Sequence, residues 1–358
     1  MKFFHLFAIV VLSVLPVWGD EAGAKRVLLE YEAEREAWVT KVNAAADVEA
    51  RRELWRTVPD VDDFGQRLLH QLDSAWKKDW FLDYAPKLLE LAPAFSVTPL
   101  PRVARTPLSL IRDSADRFHF ESSKVGPLCM ALVLDKGPTT RRFLEKVERI
   151  HPDKEVQGQA AMALALLSRE LGNGGDVAQF KEQRIKWVRK AIIEASKVKF
   201  GQVTIGEIAK DFLFAISHLE KGMQAPDVLG WNVEEQALRL RDFQGKPVMI
   251  VFWHTRMEAA DKTMALLRRV EEGLGRRGLK VVGVASEDRD TLRAMMKDGS
   301  ITWANWVDDQ GKIAQLYQVK RYPACWVLDE KGAVIFNGPP GPFAELTAEA
   351  LVKGLKRK

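Results

Sequence analysis

Cysteine is scarce in this chain: 358 residues contain two, Cys129 and Cys325, far apart in sequence. They form neither the C-x-x-C pair of dithiol exchange nor a zinc-binding spacing. Both are expected as buried thiols packed like small apolar groups, and a bridge between them would join two different domains. Long apolar runs are equally few. One lies at the N-terminus, and no later segment approaches the roughly 20 residues that span a bilayer. Charge of one sign is not concentrated either. The net charge of +5 is spread along the chain apart from the Lys356-Arg357-Lys358 tail. With no basic stripe interleaved with aromatics, nucleic-acid binding is excluded as an expectation. His70, His119, His151 and His218 are scattered singly among helical patterns, as surface or capped histidines rather than ligands, so no metal or cofactor is expected.

What is present begins with an export signal. Lys2 precedes a nearly unbroken apolar run from Phe3 to Val17, and Val17-Trp18-Gly19 offers a cleavage site before Asp20. The run is short for a membrane span, although the single Lys leaves an uncleaved N-terminal anchor as the alternative. No Cys follows the run, so lipid attachment there is excluded. An extracytoplasmic location, periplasmic or secreted, is therefore expected, with no membrane span once the signal is removed.

The sequence divides into residues 1–19 (signal), 20–220 (helical) and 221–358 (alternating strands and helices). In the helical part Leu68, Leu69, Leu72 and Trp76 recur at three- and four-residue spacing, and Trp80, Phe81, Tyr84, Leu88, Leu89 and Leu91 continue the pattern. Pro86 is expected in the first turn of a helix and Pro93 just past its end. Helices are also expected over Leu108–Phe118, Val125–Leu134, Thr139–Arg149 and Val156–Leu171. Short polar turns join them, which fits stacked helical hairpins or an irregular bundle; no regular repeat decides between the two. Gly172-Asn173-Gly174-Gly175-Asp176 breaks the pattern before a charged helical stretch reaching Val198. Thr204-Ile205-Gly206-Glu207 then reads as a capping box opening a helix to Leu219.

From Pro226 the texture changes. Pro247–Trp253 is a continuous apolar run, expected of a strand buried on both faces. An amphipathic helix follows over Glu258–Leu274, then a second buried strand Leu279–Ala285 and a helix Thr291–Lys297. Ala324–Leu328 and Ala333–Phe336 read as two strands joined by the turn Asp329-Glu330-Lys331-Gly332. Ala344–Leu355 closes as a helix. A β-α-β unit followed by a hairpin and a terminal helix calls for a right-handed crossover.

Several segments carry a resemblance. Lys221-Gly222-Met223-Gln224-Ala225-Pro226-Asp227, Leu240-Arg241-Asp242-Phe243-Gln244-Gly245-Lys246-Pro247, the strand ending Phe252-Trp253, Ile301-Thr302-Trp303, and Tyr322-Pro323 with Val327-Leu328-Asp329-Glu330-Lys331-Gly332 occur in order. Residues from about Gly222 to Asn337 thus resemble the extracytoplasmic thioredoxin-like proteins of the TlpA/ResA group, within the AhpC/TSA (redoxin) superfamily. The helical half is similar to regions fused to such domains in planctomycete-type redoxin proteins, through Lys124-Val125-Gly126-Pro127-Leu128-Cys129 and Val156-Gln157-Gly158-Gln159-Ala160. The implied fold is an all-helical domain, solenoid- or bundle-like, followed by a thioredoxin-like α/β domain.

The resemblance also exposes a gap. Family members continue the first buried strand as Phe-Trp-Ala-Thr-Trp-Cys-Gly-Pro-Cys, where this chain reads Phe252-Trp253-His254-Thr255-Arg256-Met257-Glu258-Ala259-Ala260. Met257 and Ala260 stand at the two cysteine positions. In the family the first cysteine sits at a helix N-terminus, which favours thiolate. Lowering a thiol pKa from about 8.5 to about 7 represents roughly 2 kcal/mol of anion stabilisation. A thioether has no proton to lose, so dithiol exchange at this position is absent. His254 is expected as a loop histidine, with no Ser or Cys close in sequence for it to activate. Met257 with His254 alone is a poor soft-metal site. Tyr322-Pro323 matches the family's cis-proline, beside which the backbone takes up an extended peptide by strand addition. The expected groove is lined by Trp253, His254, Tyr322 and Pro323, and its expected partner is a protein or extended peptide. The alternative is a thiol-disulfide oxidoreductase or peroxidase working through Cys325 alone, with Lys320 and Arg321 as flanking cations.

Overall fold

The computed structural model describes residues 19–46, 48–101, 104–168, 177–257 and 260–355. The expected signal segment up to Trp18, the Gly172–Asp176 break, Glu258 and the Lys356–Lys358 tail lie outside them. The chain forms two compact units that divide between Ala209 and Lys210. Residues 210–220, expected with the helical domain, belong to the second unit. Among the described residues no helix is long and apolar enough to cross a membrane.

The first unit is helical: α1 (Glu21–Ala44), α2 (Val48–Trp55), α3 (Val61–Leu72), α4 (Phe81–Leu91), α5 (Pro93–Ser96), α6 (Pro107–Phe118), α7 (Val125–Ala131), α8 (Pro138–Ile150), α9 (Lys154–Leu167) and α10 (Val177–Ala195). Asp20 caps α1 by accepting from the Gly23 N–H. Successive packing of α1 on α3, α3 on α4, α4 on α7 and α7 on α9 carries the array forward, with α8 and α10 also on α9. Nearly every side chain of α9 is buried, which is why its sequence is apolar all round rather than along one stripe. Its Gly158 lets α10 approach closely: a Cβ there would lie 2.7 Å from the Ala195 methyl.

Pro86 falls inside α4 rather than in its first turn. The helix begins earlier because Phe81 and Leu82 are buried and Phe81 packs against Trp76, centroids 5.3 Å apart. His119 and His151, expected as surface or capped histidines, are buried and stand at the C-caps of α6 and α8. Burial is offset at His119, whose Nε2 lies 2.7 Å from the Trp76 carbonyl. Among the described residues no group of three or more His, Cys, Asp or Glu side chains could hold a metal.

A two-stranded turn, β1 (Lys199–Phe200) with β2 (Val203–Thr204), leads into α11 (Ile205–Phe214). The capping box forms as expected, with the Thr204 N–H donating to Glu207 and the Glu207 N–H to the Thr204 hydroxyl.

The second unit adds the hairpin β3 (Leu229–Trp231) and β4 (Ala237–Arg239), then β5 (Val248–Trp253), α12 (Ala260–Leu274), β6 (Lys280–Ala285), α13 (Arg289–Lys297), β7 (Ala304–Val307), α14 (Lys312–Leu316), β8 (Ala324–Leu328), β9 (Val334–Gly338) and α15 (Pro342–Leu355). The five-stranded sheet has the order β7-β6-β5-β8-β9. β5, β6 and β7 are parallel, and β8 and β9 complete the sheet antiparallel. This is the thioredoxin arrangement.

Both faces of the sheet are covered. Met249, Val251, Trp253, Cys325 and Val327 pack with Leu267 and Val270 of α12 and Ala344 and Ala348 of α15. Ile250, Phe252, Val282, Trp306 and Trp326 pack with Ala215, Leu219, Val228 and Tyr317. Buried aromatic donors fix the second cover: Trp326 Nε1 donates to the Leu219 carbonyl, Tyr317 OH to Pro226, and Trp306 Nε1 to Leu238. That is the physical reason residues near 219 join this unit. The start of the outer edge of β9 is covered, because the Gly222 N–H donates to Val334 O and the Val334 N–H to Met223 O.

Candidate functional site

The C-terminal ends of β5 and β6 and the start of β8 meet at one end of the sheet, the position where open α/β sheets bind ligands. β5 and β8 pair through Phe252↔Ala324. Two residues further the register would pair His254 with Tyr322. There the ladder has ended, and the two side chains face each other with ring centroids 4.9 Å apart at 57°. Tyr322-Pro323 is a cis peptide. Among the described residues the backbone N–H and C=O of Tyr322 make no hydrogen bond. The Tyr322 backbone donor and acceptor therefore stand unpaired across from His254 and the turn it opens.

The turn is built by its own amides and by a buried acid. The Met257 N–H donates to His254 O and the Ala260 N–H to Met257 O, each 3.3 Å. The Thr255 N–H and hydroxyl both donate to Glu287 Oε1, the latter at 2.7 Å. Glu287 is buried, and its carboxylate is spent on that turn. Next to it Ser286 Oγ lies 3.0 Å from Tyr322 OH. The Ser286 N–H donates to Trp253 O at 3.1 Å, tying the end of β6 to that of β5. His254 Nδ1 is buried with no hydrogen-bond partner. Burial lowers the His254 pKa; the Arg256 charge lowers it further, and Glu287 partly opposes them. The ring is thus held toward its neutral form.

Of the expected groove residues, His254, Tyr322 and Pro323 come together, each partly exposed. Trp253 does not line the surface. It is fully buried, and its Nε1 donates to Asn305 Oδ1 at 3.1 Å. The alternation along β5 decides this, because Trp253 shares the inward face of Met249 and Val251. Met257 turns its thioether into the same core. Gly283 makes room for the Trp253–Asn305 bond: a Cβ there would lie 1.9 Å from Asn305 Oδ1 and 2.7 Å from Trp253 Nε1.

Cys325 lies on that inward face too, 0% exposed. Burial pushes its thiol far above the ordinary range, away from the reactive anion. Cys129 is likewise 0% exposed, with its thiol pushed up by burial, and both cysteines are free. The alternative that rests on Cys325 has no accessible sulfur, because α15 and α12 cover the face toward which it points.

Ser286 and Glu287 were not singled out by sequence reasoning. The available signal was their position just after a buried parallel strand, where polar side chains collect at the ligand-binding end. A cavity of about 660 Å³ lies at the other end of the sheet, walled by Phe214, His218, Leu240, Phe243 and Val248. Its Asp227 is occupied by Arg239 and Arg241.

Residues 221–337 match the model of the AhpC/TSA family. The chain is 25% identical over 118 residues to the thiol-disulfide oxidoreductase ResA of Bacillus thuringiensis subsp. konkukian (strain 97-27), covering 33% of this chain and 68% of that protein. It is 28% identical over 120 residues to the thioredoxin-like protein YneN of Bacillus subtilis (strain 168), covering 32% and 69%. A crystal structure of the thioredoxin domain of a thiol-disulfide oxidoreductase from Bacteroides vulgatus aligns with 37% of this chain and 98% of that one, at 23% identity and a TM-score of 0.34.

Proposed function

We propose that this AhpC/TSA-type domain is a redox-silent binding module for an extended protein segment, carried by an exported chain. The observation that carries the reading is the contrast within one site. Met257 and Ala260 occupy the positions at which the family motif has cysteines, whereas the cis-Pro loop opposite keeps its backbone free at Tyr322. An extended segment laid along Tyr322 would gain main-chain hydrogen bonds in the manner of an added strand. The buried Glu287 holds the facing turn in place without offering a reactive group. Export is supported by the apolar run Phe3–Val17.

Catalysis of thiol exchange would need a thiolate at the surface, and both cysteine sulfurs of this chain are enclosed and held in the thiol form. The test is insulin reduction in dithiothreitol alongside capture of peptides from a library on the immobilised protein. The reading expects no acceleration of reduction and retention of extended peptides, weakened by Tyr322→Pro, which removes the backbone donor. Accelerated insulin reduction that disappears in Cys325→Ser would overturn it.

A further inference from the structure

The charges around the groove are not balanced, and the imbalance names a partner. At this end of the sheet most carboxylates are already engaged. Glu287 accepts from Thr255, and Asp288 accepts from the Thr291 N–H and hydroxyl at the start of α13. Asp290 pairs with Arg293 and Glu235 with Arg289. Asp308 accepts from the Ile313 and Ala314 N–H groups of α14. Asp261 and Asp309 remain exposed, each with a lysine one to three residues away, Lys262 and Lys312.

The cations differ. Arg256, on the turn that faces Tyr322, is exposed and has no ion pair or hydrogen bond among the described residues. Lys320 and Arg321, immediately before Tyr322, are exposed and equally unpaired. His254 meets Tyr322 ring to ring at 4.9 Å, so Arg256, two residues after His254, and Lys320 and Arg321, just before Tyr322, are carried on the two segments that this contact brings together. His254 itself adds little positive charge, because burial and Arg256 disfavour its protonation.

We infer that the segment bound along Tyr322 is acidic, an extended peptide whose Asp or Glu side chains meet Arg256 on one side and Lys320 and Arg321 on the other. This rests on the binding reading above and specifies its partner. An extended strand sends alternate side chains to opposite sides, so carboxylates two apart would project on the same side of the segment. Three exposed cations without intramolecular partners keep their charge available to a ligand. Their effect should be strongest on association and should weaken with salt.

The experiment uses the full chain and fluorescein-labelled decapeptides of matched length, one rich in Asp and Glu, one neutral and one rich in Lys, followed by anisotropy at low and moderate salt. A single-stranded oligothymidylate of similar charge is the fourth probe. The inference expects the acidic peptide to bind at least about tenfold more tightly than the neutral one and to weaken with salt. The doubly reversed variant Arg256→Glu with Arg321→Glu should lose that preference, by about tenfold if each exposed pair contributes its usual share. Reversal of the remote exposed Arg276→Glu should leave it unchanged. Equal binding of acidic and neutral peptides overturns the acidic specificity while leaving the peptide groove intact. Binding of none of the peptides overturns both. Preference for the oligonucleotide, lost in the same double variant, assigns the cations to a nucleic acid and overturns the inference.

Discussion

His254 and Tyr322 continue the register of β5 and β8 beyond its last pair, Phe252↔Ala324, yet they meet by their rings at 4.9 Å and not by backbone hydrogen bonds. The ladder opens at the point where the family motif places its reactive chemistry. An open ladder leaves donors and acceptors that only another chain segment or water can satisfy. The Tyr322 side chain is steadied by Ser286 at 3.0 Å, so the opening is held in shape from behind.

Thiol accessibility gives the plainest prediction. Both cysteines are 0% exposed and both thiols are pushed up by burial. Ellman's reagent should therefore label neither in the native protein and both in denaturant. Rapid labelling of one thiol without denaturant would contradict the packing of Cys129 on α7 or of Cys325 on β8.

Much of this was legible in the sequence, for reasons that differ by element. β5 is buried on both faces, so its six residues read as an uninterrupted apolar run. β7 was not legible: Ala304–Val307 is short, and its buried Asn305 is tolerated because Trp253, distant in sequence, donates to its Oδ1 while its own Nδ2 donates to the Trp303 carbonyl. Met257 and Ala260 could be placed by motif alone. The fate of Cys325 could not, since β8 is covered on both sides and a strand pattern does not say whether the cover is complete. Likewise Glu287 acquires a role only when the parallel pairing of β5 and β6 brings it under Thr255. Residues 210–220 look helical in isolation, and tertiary contacts place them in the second unit: Trp326 and Asn337 donate to the Leu219 carbonyl, Gln318 donates to Asp211 O, and Ala215 and Leu219 pack against the sheet.

The Glu287 contact should govern the turn. Removing it in Glu287→Ala leaves the Thr255 N–H and hydroxyl without their acceptor. Since Thr255 is exposed and water can replace part of the loss, a cost of about 1 kcal/mol is expected. Hydrogen exchange should show the Thr255 amide opening faster, with Glu287→Gln, which keeps one acceptor oxygen, close to the parent rate. Unchanged exchange in Glu287→Ala would mean that the turn is held by its own backbone alone.

Gly283 should be intolerant of even one methyl group. A Cβ would stand 1.9 Å from Asn305 Oδ1, so the amide must move and release Trp253 Nε1. Overpacking and one lost buried hydrogen bond together predict about 2–4 kcal/mol of destabilisation for Gly283→Ala. Tryptophan-monitored urea unfolding measures it. In an Asn305→Ala background the same substitution should cost less, because the nearest clashing group is gone and only the 2.7 Å approach to Trp253 Nε1 remains. Equal costs in both backgrounds would place the strain elsewhere.

The same end of the sheet should make stability depend on pH through His254. Its pKa in the folded chain lies below the ordinary value, chiefly through burial and then through Arg256. A lowered folded pKa means that the unfolded chain binds the proton more readily, so stability rises with pH across that interval. The full contribution of the neutral ring is present above the unfolded value of about 6.5. It is lost progressively as pH falls from there through the folded value. Urea unfolding at a series of pH values on either side of about 6.5 should show this loss in the parent protein and a shallower one in His254→Gln, which cannot be protonated. The C2 proton of His254 followed by NMR should titrate below a free histidine, and Arg256→Ala should move it back upward. Titration above the free value, or an acid dependence identical in His254→Gln, would show that burial of this ring does not set its charge.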